Sequence, residues 1–114
     1  MSTCLFCKIV NRDIPGSIVY EDDHVLAFED INPQAPLHVL VIPKRHISSL
    51  NDLDASDDPL VGEIVRRGAA IARERGCSDG GFRTVFNTNV DAGQTVFHIH
   101  LHVLGGRGMQ WPPG

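Results

Sequence analysis

Three histidines, His98, His100 and His102, fall within five residues of a 114-residue chain, in the run VFHIHLHVL. Imidazole titrates near neutrality, with an ordinary pKa of about 6.5, and can serve as base, metal ligand or, when neutral, nucleophile. The run alternates strictly between histidine and aliphatic residues, the pattern of a strand with one face in a core. It predicts a strand from Val96 to Leu104, with the three imidazoles on one face and Ile99, Leu101 and Val103 on the other. Side chains two apart on a strand are separated by about 6.6–7 Å, so the outer histidines would lie about 13 Å apart. Zinc holds nitrogen at about 2.0–2.1 Å, so ligands on opposite sides of an ion span about 4 Å. One regular strand can offer two neighbouring histidines to an ion, but hardly three. The middle residue is left for other chemistry. A neutral imidazole attacking phosphorus, with its neighbours holding the tautomer, binding phosphate oxygens or passing a proton, suits the spacing. The plain alternative is a solvated histidine-rich strand. Strict spacing and the Gly105-Gly106 stop argue against it.

Cysteine offers a second constellation. Cys4 and Cys7 form a CxxC, which is half of a zinc site and needs two further ligands. The βαβ pattern of a thioredoxin-like redox pair is missing around it. Cys77 reads as an unrelated, partly buried thiol, and His24, beside Asp22 and Asp23, as a solvated loop residue.

These residues need elements to position them. Thr3 is a candidate N-cap for a short helix from Cys4 to about Asn11, ahead of the turn residues Asp13, Pro15 and Gly16. Ser17–Tyr20 and Val25–Phe28 read as two strands of a hairpin turning at Glu21, Asp22 and Asp23. The segment 31–36 carries two prolines and must be loop, whereas His38–Ile42 is a nearly continuous apolar run, the mark of a buried strand. The Asp-rich stretch 51–58 reads as loop. A helix is predicted from Pro59 to about Arg75, capped by Asp58 and closed by Gly76. Its apolar stripe would be Leu60, Val61, Ile64, Val65, Ala69 and Ala72 with Gly68, and Glu63 precedes Arg67 by the four residues of a helical ion pair. Phe82–Asn87 is the next strand. The order β-β-β-α-β-β predicts an α+β fold: a five-stranded antiparallel sheet with one long and one short helix.

Composition bounds the function. The length fits one domain, residues 1–114, and 42% hydrophobic residues suffice for a packed core. A net charge of −4 leaves no broad basic face, so nucleic acid is not an expected partner. No apolar run reaches the roughly 18 residues of a membrane span, and the N-terminus lacks the apolar core of a signal peptide. Three cysteines do not make a secreted disulfide framework. A cytoplasmic setting is expected.

At this point a resemblance becomes specific. HIHLHVL matches the His-φ-His-φ-His-φ-φ signature (φ, apolar) of the histidine triad superfamily. CLFCKIV, AFEDINPQAP, HVLVIPKRHI, GGFRTVFN, DAGQTVFHIHLHVLGG and the terminal WPPG resemble, in the same order, its Hint branch, the purine nucleoside phosphoramidate hydrolases. The resemblance covers nearly the whole chain; only the helix region is unspecific.

The resemblance implies that His100 attacks the α-phosphorus of a nucleoside 5'-phosphoramidate and forms a covalent nucleotidyl-histidine, which water opens to AMP or GMP. It implies that His102 contacts phosphate and that His38 and His98 complete the histidine network. Asp30 matches the acid that accepts both ribose hydroxyls. Leu5, Phe6, Ile9, Phe28 and Ile31 match the purine pocket, and Asn87, Gly93, Thr95 and Val96 the phosphate cradle. Thr95 departs from the more usual Ser; it keeps the hydroxyl but adds a methyl group and stiffens χ1. No cofactor is required for this chemistry. Some members hold a structural zinc with such a CxxC and two histidines, here Cys4, Cys7, His46 and His98, while others lack the cysteines and fold without metal. The branch forms homodimers with the sheet continued across subunits, and the tail, residues 107–114, is expected to dock on the partner. Two other readings stand beside this one. One is a dinucleoside polyphosphate hydrolase, which the WPPG ending disfavours; the other is a non-catalytic nucleotide-binding protein, which an intact His100 disfavours.

Overall fold

A computed structural model describes residues 3–114. The elements are α1 (Leu5–Val10), β1 (Ile18–Glu21), β2 (Val25–Glu29), β3 (Leu37–Pro43), α2 (Asp58–Glu74), β4 (Phe82–Val85) and β5 (Leu101–Gly105). The strands form one sheet in the order β1-β2-β3-β5-β4, every neighbouring pair antiparallel. The α+β expectation of five antiparallel strands with one long and one short helix holds.

The central strand β3 is buried at every position. Its period of two divides it between two cores. Leu37, Val39 and Val41 face α2, packing with Val25 and Ala27 of β2, Leu101 and Val103 of β5, and Ile64, Ile71 and Ala72 of the helix. Leu40 and Ile42 face the other way, with Leu26 and Phe28 of β2 and with Phe6 and Ile9 of α1. This double burial is why the sequence runs HVLVI instead of alternating with polar residues. Gly68 lets α2 sit directly on the sheet, since a Cβ there would lie 3.0 Å from both Leu101 Cδ2 and Val103 Cγ2.

Several boundaries differ from expectation. α1 is capped by Cys4, whose sulfur accepts from the Cys7 amide, and not by Thr3. α2 begins at Asp58, with Asp57 as N-cap, and Asp58 does not cap it. The stretch 51–58 is not featureless loop: 3₁₀ turns Leu50–Asp52 and Ala55–Asp57 are each held by a reciprocal capping box, Ser49 with Asp52 and Asp54 with Asp57. Both boxes follow the S/T/D-x-x-acid spacing, a signal present in the sequence. The buried stripe of α2 is narrower than predicted: Ile64, Gly68, Ile71 and Ala72 are buried, whereas Val65 is exposed. The Arg67 guanidinium lies 3.7 Å over the Tyr20 ring, a cation–π contact taken in place of the predicted helical pair with Glu63.

The largest departure is at the histidine strand. β5 starts only at Leu101, and residues 96–100 lie outside the ladder. β3 and β5 pair from Leu37–Gly105 to Val41–Leu101, and in this register Pro43, two residues further along β3, would stand opposite Ile99. Proline has no amide hydrogen to give a ladder. Its carbonyl instead accepts from His98 Nε2 at 2.7 Å, and the Ile99 amide turns to the Ile47 carbonyl at 2.7 Å.

Candidate active site

The break before β5 sends the three histidines to different surroundings. His98 is fully buried and its ring points toward the start of α1. His100 lies just outside the ladder, with its ring edge-on to Phe6 at 5.0 Å between centroids. His102, within β5, meets the His100 ring edge-on at 5.0 Å between centroids and bonds to His38 on its other side. The three rings keep the predicted shared face, Phe6 lying edge-on to both His98 and His100 while Ile99, Leu101 and Val103 pack in the opposite core, but His98 sits deeper and outside the cavity.

The hydrogen bonds fix the tautomers. The His98 carbonyl can only accept, so His100 donates to it from Nδ1 at 2.8 Å, leaving the Nε2 lone pair free of its proton. The Gln34 amide donates to His38 Nδ1 at 3.0 Å, which puts the His38 proton on Nε2. That proton points to His102 Nδ1 at 2.9 Å, with Asp30 Oδ2 at 3.4 Å from the same nitrogen. His102 then carries its own hydrogen on Nε2. The result is a relay, Gln34 to His38 to His102, ending in a donor, beside a second imidazole, His100, that ends in an acceptor. Burial lowers the pKa of His100, and burial followed by the facing His100 and His38 rings pushes His102 down to about 4. Both rings are neutral at neutral pH, the state in which an imidazole nitrogen attacks.

A cavity of about 410 Å³ opens over these rings. His100 and His102 line it, together with all ten residues matched to nucleotide binding in the sequence. Phe6, Ile9 and Phe28 form buried apolar walls, Phe6 and Phe28 meeting edge-to-face at 5.3 Å. Leu5 and Ile31 stand at the rim, Ile31 fully exposed. Asp30 lies with its carboxylate between the Asn32 amide and His38. Asn87, Gly93, Thr95 and Val96 close the other side. Gly93 has φ +79°, a conformation glycine adopts without strain.

Sequence reasoning missed three contributors. The Gln34 amide orients His38. The Pro43 carbonyl orients His98. Gln94 is buried in an otherwise exposed loop; its Oε1 accepts from the Asn89 amide and its Nε2 donates to the carbonyls of Ser48 and Val96, pinning residues 89–96. An isolated glutamine in that Gly-containing loop was the available signal; backbone partners leave none.

The other cluster joins Cys4, Cys7, His46 and His98, whose ligand atoms all lie within 4.8 Å of one another. His98 Nδ1 is 3.4 Å from Cys4 Sγ and 3.5 Å from Cys7 Sγ, and His46 Nδ1 is 3.3 Å from Cys7 Sγ. Tetrahedral zinc with ordinary bond lengths separates sulfur and nitrogen ligands by about 3.6 Å, so the donor set fits. The Pro43 carbonyl holds the His98 proton on Nε2 and leaves Nδ1 as the ligating atom. Burial pushes the His98 pKa down to about 4, which also favours the unprotonated ligand. Cys77 and His24 lie elsewhere, Cys77 beside Gly105 and His24 in the exposed β1–β2 turn.

Residues 3–110 match the family described as scavenger mRNA decapping enzyme C-term binding. A HIT-like protein of Synechocystis is 50% identical over 110 residues, 96% of each chain. The purine nucleoside phosphoramidase of Escherichia coli K12 is 48% identical over 103 residues, covering 90% of this chain and 87% of that one. The chain belongs to the histidine triad (HIT) family. The crystal structure of a HIT family hydrolase from Legionella pneumophila superposes with a TM-score of 0.97 at 53% identity, covering 98% of this chain and 100% of that one. A histidine triad protein from Clostridium difficile gives 0.92 at 45%, covering 96% of each. The HIT signature thus sits where the break before β5 separates the rings, and the fold described above is the HIT fold.

Proposed function

We propose that the protein is a hydrolase that cleaves the phosphorus–nitrogen bond of purine nucleoside 5'-phosphoramidates through a nucleotidyl-His100 intermediate. One observation carries the proposal: His100, its Nδ1 proton given to the His98 carbonyl, lines with its unprotonated Nε2 a cavity walled by Phe6, Ile9 and Phe28 on one side and by Asn87, Gly93, Thr95 and Val96 on the other. The likeness to a purine nucleoside phosphoramidase supports the substrate class.

In this reading Phe6, Ile9 and Phe28 sandwich the purine and Leu5 and Ile31 cover its edge. Asp30 accepts the ribose hydroxyls with its two carboxylate oxygens. Asn87, the backbone after Gly93 and His102 Nε2–H hold the phosphate oxygens as they gain charge. The His100 Nε2 lone pair forms a bond to phosphorus as the phosphorus–nitrogen bond breaks. The electron pair stays on the amine, which takes a proton from water through the Thr95 hydroxyl. Water then attacks phosphorus, the Nε2–phosphorus bond breaks, the nucleoside monophosphate leaves and the borrowed proton returns to solvent. His38, accepting from the Gln34 amide and donating from Nε2, keeps His102 a donor.

Cys4, Cys7, His46 and His98 would hold a structural zinc, which when bound cross-links α1 to the segment before β5. A homodimer would continue the sheet through β4, which among the described residues has β5 as its sole neighbour, and would give the tail with its exposed Trp111 a partner to cover it. Sedimentation at several concentrations tests the dimer: a monomer throughout would remove it. The tail also reaches back, Arg107 Nε donating to the Gln34 carbonyl and Arg83 to the Gln110 carbonyl. No helix among the described residues is long and apolar enough to cross a membrane.

Rapid quench of the protein mixed with adenosine 5'-phosphoramidate tests the mechanism. One adenylyl group should appear on His100 within a single turnover. His100→Ala should lose the adduct and at least about 10³-fold in kcat, as for removal of other covalent nucleophiles. Turnover without an adduct would replace the covalent route by direct attack of water.

A further inference from the structure

Gly105, Gly106 and Arg107 run from the end of β5 back over the loop 31–36, and the chemistry above uses none of them. Apart from half-buried Ala35, the loop is exposed and has no core to hold it. It nevertheless carries the Gln34 amide that orients the buried His38 ring. Two contacts fix it from outside. Arg107 Nε donates to the Gln34 carbonyl at 3.0 Å, and Arg107 Nη1 donates to the Gly108 carbonyl at 2.9 Å, which braces the side chain. Gly106, at φ +88°, sits so close to the loop that an added Cβ would stand 2.9 Å from Pro36 Cβ. Within the loop, the Gln34 side chain donates to the Asn32 carbonyl and the Asn32 amide to Asp30.

We propose that Arg107, with Gly106 seated on Pro36, is a positioning residue that sets the direction of the proton between His38 and His102. The inference deepens the phosphoramidate reading and rests on it only for the role given to His102. The 2.9 Å contact between His38 Nε2 and His102 Nδ1 can be made with the proton on either nitrogen. With the proton on His38, His102 keeps its own hydrogen on Nε2 and presents a donor to phosphate. With it on His102 Nδ1, the His102 Nε2 lone pair faces the phosphate oxygens and repels them. His38 Nδ1 decides between the two states. A backbone amide can only donate, so the Gln34 amide held at 3.0 Å keeps Nδ1 an acceptor and the His38 proton on Nε2. Asp30 Oδ2, 3.4 Å from that nitrogen, pulls the same way at longer range. If the loop drifts, Nδ1 is free to take the proton. Holding Gln34 thus selects which end of the relay reaches the cavity.

Long-range proton–nitrogen NMR spectra of the full chain read the tautomers directly. In the parent, His38 and His102 should both carry hydrogen on Nε2. Arg107→Ala should melt close to the parent and raise the Nδ1–H share of both rings together, by about three- to tenfold, the weight of one such hydrogen bond. Gly106→Ala should move both rings in the same direction. Arg107→Lys, which keeps a cationic donor, should restore most of the parent pattern. Arg83→Ala frees the tail at Gln110 and not at Gln34, and should leave both tautomers unmoved. Turnover of adenosine 5'-phosphoramidate should fall in Arg107→Ala in step with the lost Nε2–H share and recover in Arg107→Lys. Unchanged tautomers in Arg107→Ala and Gly106→Ala would overturn the proposal even if turnover slowed, since Arg107 would then be structural only. Shifted tautomers at full turnover would overturn it too, as would an equal shift in Arg83→Ala. Shifted tautomers in a protein whose parent form turns over no phosphoramidate would keep the positioning role and retire the phosphoramidase reading.

Discussion

His100 and His98 illustrate how one backbone contact decides what an imidazole can do. The His98 carbonyl takes the His100 Nδ1 proton, so the reactive lone pair points into the cavity. Thr95 carries a hydroxyl at the cavity wall, and its methyl group restricts χ1. Thr95→Ser is expected to speed turnover or change the ranking of amines, with activity kept in both proteins. Steady-state rates over a set of amine leaving groups measure this, and identical profiles would leave the methyl group without a role. His102 provides a pH prediction. Its folded pKa is about 4 against an ordinary 6.5, first because it is buried and then because the His100 and His38 rings face it, with Asp30 pulling the other way. The unfolded chain binds a proton at this residue as pH falls through about 6.5, and the folded chain does not until about 4. The stability it contributes is therefore complete above about 6.5 and declines toward about 4. Thermal melts from pH 7 to 4 should show that decline, and His102→Asn should make it shallower.

At the scale of elements, the sheet and α2 hold the site by close approach. Gly68 is where the helix touches β5, with Leu101 and Val103 at 3.0 Å from any added Cβ. Gly68→Val should cost about 1–3 kcal/mol, the usual penalty for overpacking, and lower Tm accordingly. Gly62, whose Cβ would meet nothing within 4 Å, is the control: Gly62→Val should melt close to the parent. Period-two and helical patterning made β2, β3 and α2 legible within a residue or two. The same patterning overextended β5, because alternation records which faces a chain presents and not whether a partner strand continues beside it. Pro43, lying in a different segment, ends that pairing. The 3₁₀ turns at 50–57 were written in capping-box spacing, but short turns carry no periodicity to bring them out.

Across the whole molecule, the topology inserts β5 between β3 and β4 and so brings His38 against His102, 64 residues away. It also brings α1 over the second core, where Phe6 packs on His100 while Cys4 and Cys7, on either side of it, meet His46 and His98. A structural zinc is expected there, about one per chain, in protein purified without added metal; substoichiometric zinc would count against it. Cys7→Ser should weaken zinc retention by more than the 10–100-fold typical of losing a second-shell partner, and a chelator should lower the Tm of the parent but not of the variant.

The sequence by itself determined the fold class and, through motif order, the residues that line the cavity over His100 and His102, because residue type, strand period and motif order are local properties. It offered His98 to both the triad face and the metal set. Only the tertiary structure turned that ring to the cysteines, since the choice depends on Pro43 ending a ladder and lending its carbonyl. The tautomers of His38, His100 and His102 were decided in the same way, by backbone donors and acceptors from Gln34 and His98. Those groups are the same for nearly every residue type, so no sequence can display where they will point.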